Sequence, residues 1–254
     1  MVKVNALQHD IVWGDPAENR RRLAGLIAAQ PGADLYVLPE MWSTGFAIEP
    51  ETLAEKDGAT LQWMKQMARQ QNAAIAGSVA VEVDGRFYNR FYFVKPDGVV
   101  AYYDKHHLFS YGGEDKHYAC GNKRVVVEWR GVRFLLAVCY DLRFPVWTRY
   151  NGDYDAMLCV ANWPTIRIDS WNTLLRARAI ENQCYVVGVN RVGNDPCCEY
   201  CGCSAIINPY GQTEVECERD KECSAEAIID MQMLETYRTK FPALKEKDKF
   251  EIII

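Results

Sequence analysis

The chain has 254 residues, 49% hydrophobic and 25% charged, enough apolar material for the core of one large domain over residues 1–254. A net charge of -5 and a pI near 5.5 leave no broad basic face for a polyanion, so no nucleic-acid partner is expected. No apolar run approaches the roughly 20 residues that span a bilayer, and the opening MVKVNALQHDIVWGD lacks the apolar centre of a signal peptide. No membrane partner is expected, and the location read from these features is cytoplasmic, where the ten cysteines stay reduced and serve mostly in packing.

In chain order, the first predicted element is a helix in GDPAENRRRLAGLIAAQPG, with Asp15 as cap, Pro16 at the first helical position and Glu18 where a capping box places it. Leu23, Leu26 and Ile27 supply its apolar face, and Pro31-Gly32 stops it. ADLYVLPE then reads as a short strand buried on both faces and broken at Pro39, which sets Glu40 just beyond its carboxyl end. A second helix is predicted in TLQWMKQMARQQ, followed by a β-meander with tight turns at Asp84-Gly85 and Asp97-Gly98.

RVVVEW and VRFLLAVC flank another turn at Arg130-Gly131, and the second of them ends on Cys139. Beyond it the pattern alternates: a helix near 144–151, strand DAMLCVAN, helix DSWNTLLRARAIENQ, strand CYVVGVN, further strands to Asp230 and a last helix near 231–240. This mixture of βα units and hairpins indicates a layered α/β domain with helices on the outer faces of its sheets. Glu40, Cys139, Asn162 and Asn190 each follow an apolar strand, at the edge where ligands bind in α/β sheets.

Taken alone, Cys139 reads as a buried thiol, Glu40 as a loop carboxylate and Lys105 as a surface charge. Together, LPEMWSTGF around Glu40, YYDKHHLF around Lys105 and AVCYDLRFP around Cys139 resemble the nitrilase, or carbon-nitrogen hydrolase, superfamily. GEDKHYACGN, RARAIENQCYVVGVNRVG and YRTKFPALKEKDKF narrow the resemblance to its omega-amidase branch. That resemblance implies a four-layer αββα sandwich and a Glu40, Lys105, Cys139 triad. It also implies a second, orienting glutamate at Glu114, and hydrolysis of the side-chain amides of short dicarboxylic acids such as 2-oxoglutaramate. It implies no cofactor or metal, and a homodimer built through helices beside the nucleophile and C-terminal segments.

The chemistry follows from the side chains as well. An amide is a poor electrophile and a free thiol, with pKa near 8.5, is only a few per cent thiolate at neutral pH, so Cys139 needs a base within hydrogen-bond reach. Glu40 is the candidate, first taking the thiol proton and then delivering it to departing ammonia. Negative charge that develops on the carbonyl oxygen calls for a fixed ammonium and a backbone N–H, roles that fall to Lys105 and Tyr140. The turn after Cys139 lifts the sulfur from the sheet, with Pro145 in the first turn of the next helix.

Competing readings stand beside these. His106 or His107 offers a Cys-His mechanism, although neighbours on an extended segment face opposite ways. His117 reads as a loop or rim residue. Cys197, Cys198, Cys201 and Cys203 in DPCCEYCGC have zinc-like CxxC spacing, but four thiols so close together hardly close a tetrahedron. The resemblance instead matches Tyr200, Gly202 and Ser204 in that loop and makes the cysteines local decoration, open to oxidation if exposed.

For a distal carboxylate the candidates are Arg143 and Arg167, since a guanidinium matches that group. Arg143 also qualifies as a structural partner for Asp141 or Glu40, and Arg178 as an intrahelical partner of Glu181. Trp42, Phe46, Tyr111 and Trp163 are candidate walls of a small apolar pocket or, equally, core residues. The tail KFEIII is expected to pack against the body or add an edge strand. Within enzymes the rival is a related hydrolase of nitriles or carbamoyl amines; outside them, an inactive scaffold or thiol metal binder.

Overall fold

The computed structural model describes residues 1–253. Its first half runs β1 (Val2–Gln8), α1 (Pro16–Ala28), β2 (Leu35–Val37), α2 (Ala59–Gln71), β3 (Ala74–Val83), β4 (Arg86–Val94) and β5 (Val100–Asp104). Its second half runs β6 (Val126–Trp129), β7 (Val132–Val138), α3 (Pro145–Thr148), β8 (Ala156–Ala161), α4 (Ile168–Asn182) and β9 (Tyr185–Asn190). A short hairpin, β10 (Val192–Asn194) with β11 (Glu199–Cys201), precedes β12 (Ala205–Ile207), β13 (Thr213–Glu216), β14 (Cys223–Ile229) and α5 (Met231–Lys240).

These strands build two six-stranded sheets, ordered β14-β1-β2-β3-β4-β5 and β13-β12-β9-β8-β7-β6. Each has a parallel centre, β1-β2-β3 in one and β7-β8-β9 in the other, extended by antiparallel strands. Alternation along each strand divides its side chains between two faces. Val37, Phe91 and Phe93 from the first sheet meet Phe134, Leu136, Val138 and Val160 from the second in a core between the sheets. Tyr36 and Ile75 turn the other way, under Leu23 and Ile27 of α1 and Met64 of α2, while Leu135 and Met157 lie under Trp171 and Leu175 of α4. The result is helix, sheet, sheet, helix, the sandwich the resemblance implies. Gly188 allows the last layer to close, because a Cβ there would lie 2.5 Å from Leu175 Cδ1.

Several local readings hold and several need correction. Asp15 caps α1, its Oδ1 accepting from Glu18 N–H at 3.0 Å, but the return half of the capping box is missing because the Glu18 carboxylate pairs with Arg21 instead. The turns at Asp84-Gly85 and Arg130-Gly131 have positive φ at both residues, as two-residue hairpin turns matched to strand twist require. The helix expected near 144–151 is only the single turn Pro145–Thr148, preceded by a 3-10 segment at Cys139–Arg143. In the tail, Ile252 packs against the core between the sheets, whereas Ile253 is 92% exposed. No strand forms there among the described residues, so the edge-strand reading fails; Ile254 lies outside them.

Candidate active site

Glu40 stands at the carboxyl end of β2, where Leu38 N–H donates to Ala76 O at 2.7 Å and keeps the chain on the sheet for one further residue. Lys105 follows β5, its N–H donating to Asn89 O at 3.0 Å and its carbonyl accepting from Gly121 N–H at 2.9 Å. Gly121 is obligatory at that approach, since a Cβ would lie 2.0 Å from Asp104 O. Glu114 belongs to the loop after Lys105, where its Oε2 accepts from Phe109 N–H at 2.6 Å.

The structure brings Glu40, Lys105 and Glu114 together out of solvent contact. Lys105 Nζ lies 2.9 Å from Glu40 Oε1 and 2.8 Å from Glu114 Oε2, and all three side chains are fully buried. Asn89, on the inner face of β4, donates through Nδ2 to Glu40 Oε1 at 2.8 Å and to Glu114 Oε1 at 3.2 Å. From the opposite sheet Asn162, just past β8, donates its N–H to Glu40 Oε2 at 2.8 Å and its Nδ2 to Glu40 O at 2.7 Å. The carboxylate on one sheet is thus oriented by the strand end of the other.

Cys139 follows β7 with φ of 46°, a left-handed conformation that costs a non-glycine residue about 1–3 kcal/mol and persists only where its surroundings enforce it. Asp141 enforces it. Its buried carboxylate accepts from Val138 N–H at 2.9 Å, from Tyr103 OH at 2.8 Å and from His107 N–H at 3.0 Å. Arg178 adds a bond from Nη2 to Leu142 O at 2.5 Å, and pairs with Glu181 at 2.9 Å as expected.

Electrostatics explains why such a thiol needs help. Burial, reinforced by the Glu40 carboxylate, pushes the Cys139 thiol well above the ordinary cysteine range, with Lys105 opposing. For Lys105 burial alone would favour the neutral amine, but Glu114 and Glu40 outweigh it and hold the ammonium charged well past the usual lysine range. Burial also raises Glu114, with Lys105 again opposing. At neutral pH the cluster therefore holds a thiol beside a firmly charged ammonium.

Cys139 and Tyr140 open onto a cavity of about 560 Å³, which Phe46, Trp163, Arg143 and Arg167 also line, with Tyr111 at its exposed rim. Arg143 donates to Ser170 Oγ at 3.1 Å and lies 4.9 Å from the centre of the Trp163 ring, so it is not the partner of Asp141 or Glu40. Arg167 lies 5.4 Å from the Phe109 ring centre. Trp42 is a correction: fully buried, it packs at 5.0 Å on Trp63 in the core beneath α2, because Met41, at φ of 43°, turns the chain away from the cavity after Glu40.

The histidines take structural places. His106 stacks on Trp147 at 3.9 Å and His107 on Phe144 at 3.8 Å, while His107 Nδ1 bonds Asp141 Oδ1 at 2.9 Å. Neither lines the cavity, and they meet edge to face at 4.5 Å instead of facing apart, because β5 has ended at Asp104 and strand alternation no longer applies. His117 bonds Glu51 in a loop at 3.3 Å. The cysteine-rich loop divides: Cys197 and Cys198 line the cavity mouth beside Tyr200, whereas Cys201 and Cys203 enter the core under α4. Among the described residues no set of three or more His, Cys, Asp or Glu is arranged to hold a metal ion.

Sequence reasoning passed over Asn89, named Asp141 only as a partner for Arg143, and noted Asn162 only as a polar residue at a strand end. For Asn162 a signal existed in its position directly after an apolar strand, and Asp141 lies three residues past the end of another. Asn89 sits among aromatic residues in YNRFYFV, where alternation puts it on the face of Phe91 and Phe93 but nothing local names the carboxylates it meets.

The carbon-nitrogen hydrolase family model matches residues 3–239. Omega-amidase YafV of Escherichia coli K12 is 46% identical over 252 residues, covering 99% of this chain and 98% of that protein. The 2-oxoglutaramate amidase of Bacillus subtilis 168 is 37% identical, covering 96% of each chain. XC1258 from Xanthomonas campestris, a CN-hydrolase superfamily protein with an arsenic adduct in its active site, superposes with a TM-score of 0.95 at 42% identity over 99% of this chain and 98% of that one. The chain belongs to the carbon-nitrogen hydrolase family, the nitrilase superfamily, on its omega-amidase branch.

Proposed function

We propose that the protein is an omega-amidase that cleaves the terminal amide of small dicarboxylic acid monoamides, such as 2-oxoglutaramate to 2-oxoglutarate and ammonia, through a thioester on Cys139. The observation that supports this reading is that Cys139 opens onto an apolar cavity also lined by two guanidinium groups, while the buried Glu40–Lys105 ion pair lies behind that lining and within electrostatic reach of the thiol.

In this reading Glu40 takes the Cys139 proton as sulfur attacks the amide carbon. Lys105 Nζ and the Tyr140 N–H stabilise the oxyanion, in a dry site where such donors act most strongly. Glu114 holds the ammonium in place. Glu40 then gives its proton to the amide nitrogen, the C–N bond breaks and ammonia leaves. A water molecule, deprotonated by Glu40, attacks the thioester, and the departing sulfur recovers its proton. Arg143 and Arg167 receive the distal carboxylate, with Phe46, Tyr111 and Trp163 around the acyl chain.

The proposal extends to a cytoplasmic homodimer, supported by Val146 of α3 and Ile180 of α4, each more than half exposed. The test is the mass of intact protein trapped during turnover of a slow monoamide. We expect an acyl adduct that maps to Cys139 and is absent from Cys139→Ala; ammonia release with no adduct, or an adduct on another residue, would sink the mechanism. Ammonia release from a panel of monoamides, ureido acids and nitriles separates this reading from its relatives.

A further inference from the structure

Asn89 occupies a costly place. It lies on the face of β4 that carries Phe91 and Phe93 into the core between the sheets, where an apolar side chain would pack with no polar group to satisfy. Its Nδ2 faces two acceptors, Glu40 Oε1 at 2.8 Å and Glu114 Oε1 at 3.2 Å, which fixes the orientation of the amide. Its Oδ1 is left buried with no hydrogen-bond partner among the described residues. An orphaned buried acceptor is destabilising and calls for a reason beyond packing.

The reason lies in how the two oxygens of Glu40 are occupied. Oε1 accepts from Lys105 Nζ at 2.9 Å and from Asn89 Nδ2 at 2.8 Å, two strong donors for its two in-plane lone pairs. Oε2 has one short donor, Asn162 N–H at 2.8 Å, with Asn162 Nδ2 only at 3.5 Å. We infer that Asn89 is a positioning residue for proton transfer: with Lys105 it closes Oε1 and leaves Oε2 of Glu40 as the oxygen that accepts the Cys139 proton and returns it to the leaving nitrogen. The same residue holds the lysine backbone, through Lys105 N–H to Asn89 O at 3.0 Å. This inference rests on the function proposed above.

The charged and titratable groups that interact electrostatically with Glu40 come from several elements. They are Lys105 and Glu114 beyond β5, Cys139 beyond β7, Cys159 on β8 and the phenol of Tyr118. All of these side chains are kept in an Asn89 variant, though Glu114 loses its own bond from Asn89 Nδ2. Removing one donor from a carboxylate makes it hold its proton more tightly, so the loss has a readable sign.

The test is the pH profile of kcat/KM for a monoamide, with kcat and KM resolved, in Asn89→Ala and in the isosteric Asn89→Asp. For Asn89→Ala we expect kcat to fall about tenfold or more, KM to stay within about twofold and the acid limb to move up by about one pH unit. Asn89→Asp keeps the volume, adds a third carboxylate and moves the limb further in the same direction; it stands alone as the test if the alanine variant does not fold. An acid limb unmoved in an active variant, with kcat/KM lowered equally at every pH, would show a merely structural role. A loss carried by KM would show contact with substrate, and either result overturns the inference. A wild-type enzyme that forms no acyl adduct sinks the functional reading instead.

Discussion

Two centres in this molecule are built from buried carboxylates and basic side chains, and they are tuned in opposite directions. Asp155, just before β8, accepts from Arg133 Nε at 2.9 Å and Nη2 at 2.7 Å, and from Arg238 Nη1 at 3.0 Å. Burial acts to raise it, but the Arg133 bonds prevail and its pKa falls below the usual value. At the other end of the parallel strands one lysine serves two glutamates, and Glu114 rises. Two cations to one anion make an anchor that ties α5 to the strand starts. One cation to two anions leaves a carboxyl, Glu114, that holds its proton more tightly than usual, and the difference lies in stoichiometry and not in residue type.

The strongest way to break this contrast is Lys105→Met. We expect turnover of a monoamide to fall by on the order of 100-fold or more, the scale of losing an oxyanion donor. Two buried carboxylates would also be left facing each other, destabilising the fold by about 3–5 kcal/mol at neutral pH. Because both then resist ionisation, the penalty shrinks as pH falls and they take up protons. Thermal unfolding followed from pH 7 to pH 5 checks that sign; a variant equally stable relative to wild type at both would contradict it.

A second expectation concerns the alkaline limb of kcat/KM. Cys139 and Lys105 are both raised, and in the proposed mechanism the working form keeps the thiol proton with the ammonium charged. The rate should therefore stay level through about pH 8.5, where an ordinary thiol titrates, and decline only above it.

The smallest effect on activity belongs to the anchor. Asp155→Asn should leave kcat within about twofold while costing about 2–3 kcal/mol of stability at pH 7, because its arginines lose a charged acceptor. A carboxylate whose folded pKa is depressed stabilises above its unfolded pKa, near 3.9, and loses that contribution as pH falls through the folded value. The gap in unfolding temperature between variant and wild type should hold at neutral pH and close below about pH 4.

What was legible in the sequence follows the same physics. Strand ends and tight turns carry local signatures, so Glu40, Cys139 and the hairpin turns could be placed from neighbouring residues. The proposed triad needed three distant motifs read jointly, because nothing local distinguishes a buried lysine from a surface one. β1 left no clear trace, since Asn5 and Gln8 are polar yet fully buried and interrupt its apolar pattern. Trp42 was misplaced because closeness to Glu40 along the chain says nothing of direction once a positive φ intervenes. Asn89 stayed hidden because its partners come from two other segments.

Glu40, the proposed base, belongs to one sheet and Cys139, the proposed nucleophile, to the other, and Asn162 links the two through Glu40. Their separation is thus a reading of how thick the apolar filling is, with Val37 and Val138 among the side chains that set it. A methylene added or removed in that layer acts as a shim between the two reacting groups. Evolution of the interior is on this account also evolution of the rate, and variants that still fold well can run slowly for reasons of spacing alone.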